Sequence, residues 1–189
     1  MADTVTATST APLAGRTAGS SGTTIVPADA ASRLVLRARP QAISPLSKAL
    51  GVPLPQKPKT SARSKAARNA ERVVLWIGPD EWLVLDKPGV DLVALCAKVK
   101  EPHSAVDVSH RNTAVIVSGA AAQSVLNAGC PQDLSLQAFP VGACSRTVLG
   151  KAEIVLLREG ETVFRVECWR SFSDYVFAFL AEAARDPVV

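Results

Sequence analysis

Asp107-Val108-Ser109-His110-Arg111 places a carboxylate, a hydroxyl, an imidazole and a guanidinium within five residues. Those groups do the work of a hydrolytic triad when a fold makes them converge. Here they are consecutive at the end of a β-branched run, where successive side chains point to opposite faces. The segment therefore reads as a turn in which Asp107 and Ser109 satisfy backbone amides while His110 and Arg111 face solvent or a partner. A second concentration of charge lies at Gly78-Pro79-Asp80-Glu81-Trp82. Gly78 and Pro79 stop the apolar run before them, so a hairpin is expected, packed by Trp76 and Trp82, with Asp80 and Glu81 exposed at its corner. Arg111, Arg146 and Arg170 each stand beside a turn or strand end and offer planar donors to carboxylates or backbone. Asp80, Glu81, Arg111, Arg146 and Arg170 are thus the candidate partner interface, and no residue is assigned to catalysis, to cofactor binding or to a metal.

Other chemistries lack their motifs. The glycines form neither Gly-x-Gly-x-x-Gly nor a phosphate loop, so no dinucleotide or ATP cradle is expected. Cys96, Cys130, Cys144 and Cys168 are scattered, with neither a Cys-x-x-Cys pair nor a histidine at ligand spacing, and read as buried free thiols. His103 follows Pro102 in an expected loop. No apolar run approaches the roughly 18 residues of a membrane helix, and the first residues carry an early acid and no apolar signal core. A cytoplasmic protein with no membrane contact is the expectation.

The 189 residues are 48% hydrophobic with net charge +4, enough for one sizeable core. The charge is uneven: residues 1–70 hold ten Lys or Arg against two acids, and the rest hold eleven against fifteen. No aromatic residue precedes Trp76, so the stacking platforms of a single-stranded nucleic acid binder are missing from the basic third. No nucleic acid partner is expected.

These residues need elements to position them. Residues 1–30 are rich in Ser, Thr, Ala and Gly without periodicity and are expected to be a disordered tail, or to order only on a partner. Residues 31–189 are expected to form one α+β domain with a basic loop at 56–70. Arg33 to Arg37 reads as a strand, and Ser44-Pro45 as the start of a helix that Gly51 and Pro53 end. Leu92, Leu95, Cys96 and Val99 mark a second helix that Pro102 would close. Residues 104–108 and 112–117 read as a strand pair, and Ala122, Val125 and Leu126 as the inner face of a short helix that Gly129 stops. Three strands follow over 144–149, 153–158 and 162–167, the last two turning at Glu159-Gly160. Ser171 would cap a final helix burying Phe172, Tyr175, Val176, Phe179 and Leu180. This order gives mixed, mainly antiparallel sheets with packed helices.

The stretch Gly78-Pro-Asp-Glu-Trp-Leu83 resembles a signature of the gamma subunit of heterotetrameric sarcosine oxidase. Ser44-Pro45-Leu46, Gly51-Val-Pro-Leu-Pro55, Asp107-Val-Ser-His-Arg111, Gly129-Cys-Pro-Gln-Asp-Leu134, Phe139-Pro-Val-Gly142, Cys144-Ser-Arg-Thr147 and Trp169-Arg-Ser-Phe172 follow in the same order as in that family. The likeness covers about residues 33–184. It implies a fold related to the folate-binding aminomethyltransferases. It also implies a structural, non-catalytic subunit of a complex that oxidises sarcosine to glycine, with formaldehyde or methylene-tetrahydrofolate and hydrogen peroxide as products. Its implied partners are alpha, beta and delta subunits, most directly alpha. FAD, FMN, NAD, tetrahydrofolate and zinc would belong to those subunits, with no cofactor in this chain. A gamma-like subunit of a complex acting on another N-methyl amino acid, such as N-methylglutamate, and a folate-binding aminomethyltransferase-like protein are the alternatives.

Overall fold

The computed structural model describes residues 11–65 and 72–185. Its strands form two antiparallel sheets. The six-stranded sheet runs in the order β1 (Ala18–Ser20), β2 (Thr23–Pro27), β8 (Asn112–Ser118), β11 (Val163–Trp169), β10 (Ala152–Gly160), β9 (Cys144–Leu149). The five-stranded sheet runs β4 (Ser61–Arg63), β5 (Val73–Gly78), β6 (Glu81–Asp86), β3 (Ser32–Ala38), β7 (His103–Asp107). Helices α1 (Pro40–Leu50), α2 (Leu92–Cys96), α3 (Ala122–Asn127) and α4 (Ser173–Ala183) complete the α+β fold.

The period-two alternation of the strands explains the layering. Leu34, Leu36, Val74, Trp82 and Val84 turn to α1 and α2, where Leu46, Leu50, Leu92 and Cys96 meet them. Their neighbours Val73, Leu75, Leu83 and Leu85 face the other way and meet Cys144 and Leu157 between the sheets. Val115, Val117, Leu156, Phe164 and Val166 cover the far side of the six-stranded sheet, against Val125 and Leu126 of α3 and Val176 and Leu180 of α4. Strands read as continuous apolar runs because both faces are buried. Each such side chain contributes about 1.5–3 kcal/mol by burial.

Several sequence expectations are corrected. The expected disordered tail contributes β1 and β2, and β2 pairs with β8 from Thr24↔Ser118 to Pro27↔Val115. Two anchors suffice: Ile25 is fully buried and Leu13 nearly so, while β8 supplies the ladder. Arg16 adds an ion pair to Asp174 at 2.5 Å and lies over the Phe177 ring. Residues 1–10 lie outside the described residues. Within the expected basic loop, β4 pairs with β5 and Thr60 bridges to Ala143; residues 66–71 lie outside the described residues.

Helix α1 begins at Pro40 rather than at Ser44, because proline at the first helical position fits the fixed backbone angle there. Pro45 then sits inside the helix. Helix α2 ends at Cys96, and Asp91 caps it by accepting from the Ala94 amide. His103 opens β7 instead of lying in a loop. Strands β7 and β8 are not a pair: β7 joins β3 in one sheet and β8 joins β2 and β11 in the other. Strand β10 runs through Glu159-Gly160, which moves that turn to residues 161–162. The final helix starts at Ser173 and buries Ser173, Val176, Phe177 and Leu180, which leaves Phe172 and Tyr175 exposed. A 3-10 turn over Arg170–Phe172 rotates the register, and the Ser173 hydroxyl donates to the Arg170 carbonyl.

Candidate subunit interface

The corner between β5 and β6 is a two-residue connection, Pro79-Asp80, with Gly78 opposite Glu81 and Trp76 opposite Trp82. The Trp82 side chain is buried, and its indole N–H donates to the Pro55 carbonyl at 2.6 Å. The expected packing role of the two tryptophans holds, and Trp82 also fastens the proline-rich stretch after α1. Asp80 is exposed and 4.0 Å from Arg37. Glu81 is not the free corner carboxylate expected: its side chain is only 12% exposed, with Arg146 at 3.2 Å and Arg37 at 3.7 Å. Arg146 also lies 3.6 Å from Glu153. Pairs this close to solvent contribute about 0–1 kcal/mol each, so the network sets orientation more than stability.

The connection from β7 to β8 crosses between the sheets. Ser109 donates its amide to Asp107 Oδ1 at 2.8 Å, and its hydroxyl accepts from the Arg33 amide at 2.8 Å. Both side chains thus satisfy backbone groups, as the sequence indicates. His110 and Arg111 are exposed. The Arg111 guanidinium lies 5.2 Å from the centre of the Trp169 ring, which in turn lies 6.1 Å from Phe172. The Arg170 amide donates to the Arg111 carbonyl at 2.7 Å. The structure therefore brings Glu81, Arg146 and Arg111 to one cleft with Trp169, leaves Asp80 outside it beside Arg37, and sets Arg170 next to the Arg111 carbonyl. Sequence reasoning missed Trp169 and placed Phe172 inside; both are about two-fifths exposed.

Register explains why this end is open. On β9, β10, β11 and β8, Arg146, Val155, Glu167 and Ala114 form one row of the face turned to the other sheet. Val148, Glu153, Trp169 and Asn112 form the next row outward. Val148 is 41% exposed, so the five-stranded sheet stops short of this row. A cleft of about 240 Å³ opens there, lined on the opposite side by Val35, Val106 and Val108.

No group of three His, Cys, Asp or Glu among the described residues is placed to hold a metal ion. The four thiols are free and buried, and burial pushes those of Cys144 and Cys168 up to about 12 and that of Cys96 to about 11. His103 has its Nδ1 2.7 Å from the Glu101 carbonyl. No helix is long and apolar enough to cross a membrane among the described residues.

The two packed sheets with helices outside are an α+β arrangement that resembles the fold of an aminomethyltransferase. The glycine cleavage system aminomethyltransferase T of Bartonella henselae superposes with a TM-score of 0.63 over 87% of this chain and 49% of its own, at 12% identity, a likeness of fold alone. The chain belongs to the sarcosine oxidase gamma subunit family, whose model matches residues 37–186. It is 34% identical over 149 residues to the sarcosine oxidase subunit gamma of Corynebacterium sp. (strain P-1), covering 76% of this chain and 71% of that one. A chain of the heterotetrameric sarcosine oxidase from Corynebacterium sp. U-96, in complex with pyrrole 2-carboxylate, matches with a TM-score of 0.80 and 29% identity, over 86% of this chain and 84% of that one.

Proposed function

We propose that this chain is a non-catalytic structural subunit of a heterotetrameric oxidase acting on sarcosine, seated most directly against the alpha subunit with beta and delta subunits in the same complex. One observation carries the reading. Asp107 and Ser109 are engaged in holding backbone and His110 is exposed, whereas Arg111, Trp169 and Phe172 are held outward at one end of the sandwich. In this reading Asp80, Glu81 and Arg146 orient the rim while Arg111 and Arg170 meet the partner. FAD, FMN, NAD, tetrahydrofolate and zinc then belong to the other subunits, and the complex works in the cytoplasm.

Purification of this chain alone, followed by desalting, tests the non-catalytic part. The expected product has no visible flavin absorbance. It forms no hydrogen peroxide from sarcosine. Retained flavin, or peroxide formed by the single chain, overturns the reading.

A further inference from the structure

We propose that the open end of the sandwich receives an extended, carboxylate-bearing segment of a partner subunit, running beside the free edge of β7; this rests on the subunit reading above. Three independent features converge on it. First, Trp169 on the outer row of the six-stranded sheet and Val106 on β7, 42% and 51% exposed, line the same cleft. A strand-end row of this kind leaves apolar surface that a second chain can cover.

Second, β7 is an edge strand. The Val108 amide donates to the Arg33 carbonyl, and with the β3–β7 register this makes Val106↔Val35 and Ser104↔Arg37 the bonded pairs. The backbone groups of Ala105 and Asp107 therefore point away from β3 and, among the described residues, have no strand beside them, so that an added strand can pair there. Third, the charges are unequal in their commitments. Glu81 and Glu153 both lie against Arg146, while the Arg111 side chain has, among the described residues, a single hydrogen bond, to Asn112 Oδ1 at 3.2 Å. An aspartate or glutamate on the incoming segment completes Arg111, and an aliphatic neighbour covers Trp169.

The test co-expresses the tagged full chain with the other oxidase subunits and compares wild type with Arg111→Glu, Val106→Lys and a control, Leu136→Lys, at a 49% exposed position in the loop before β9. The first two are expected to melt as wild type does and to lower co-purified partner by about tenfold or more, with the control unaffected. Normal co-purification of both variants overturns the proposed surface while leaving the subunit reading intact; failure of the wild type to retain any oxidase subunit overturns both. A photo-crosslinking residue at Val106 gives a readout independent of variant folding. An adduct with an Asp- or Glu-containing partner peptide supports the proposal, and an adduct with a second copy of this chain, or none with the partner, overturns it.

Discussion

Arg33 Nε lies 2.7 Å from Glu167 Oε2, and both side chains are at most 4% exposed, so an ion pair spans the space between the two sheets. Arg165 approaches the other oxygen of the same carboxylate at 2.8 Å. One buried acid therefore serves two bases. Removal of the acid leaves two uncompensated guanidinium groups, whereas removal of Arg33 leaves Glu167 with Arg165. Glu167→Ala is expected to cost about 3–5 kcal/mol, and Arg33→Ala less, as measured by urea unfolding. Equal costs, or a larger cost for Arg33→Ala, would contradict this ordering.

Trp82 is fully buried and also donates a hydrogen bond. Trp82→Ala is expected to cost about 3–5 kcal/mol through the cavity. Trp82→Phe keeps an aromatic ring, loses the donor to Pro55 and is expected to cost about 1–3 kcal/mol. Thermal melts of the two variants should keep that order.

The thiols predict an alkaline limit. Unfolded cysteine ionises near about 8.5, whereas burial holds Cys144 and Cys168 at about 12 and Cys96 at about 11. Below the unfolded value both states keep their protons and the contribution is fully present. As pH rises toward 11–12 the unfolded chain loses protons that the folded chain retains, so stability falls across this window. The urea midpoint should therefore fall from pH 8 to pH 10, and replacing the three cysteines with Ala should flatten the slope. Native thiols should also resist a disulfide reagent at pH 8 until the protein is unfolded.

Much of this fold was legible because its signals are local. The Trp76/Trp82 hairpin announces itself through Gly78-Pro79, and α3 through Ala122, Val125 and Leu126 with Gly129 behind them. What was hidden depends on distant partners. Residues 18–27 look too polar to fold, yet β8 provides their ladder and two buried side chains hold them. The run from residue 104 to 117 looks like a hairpin, but the Asp107–Ser109 turn sends its halves to different sheets. At the candidate site the arginines were visible as residue types. The exposure of Trp169 was not, because it follows from one sheet ending a row before the other.

The most direct measurement of the central claim is affinity purification of the tagged chain from its native host, with mass spectrometry of what accompanies it and a sarcosine-dependent peroxide assay on the eluate. The account predicts alpha, beta and delta subunits in near-equal amounts and peroxide formation that is lost when the chain is purified alone. A chain that elutes without oxidase subunits, or that carries the peroxide-forming activity by itself, contradicts it.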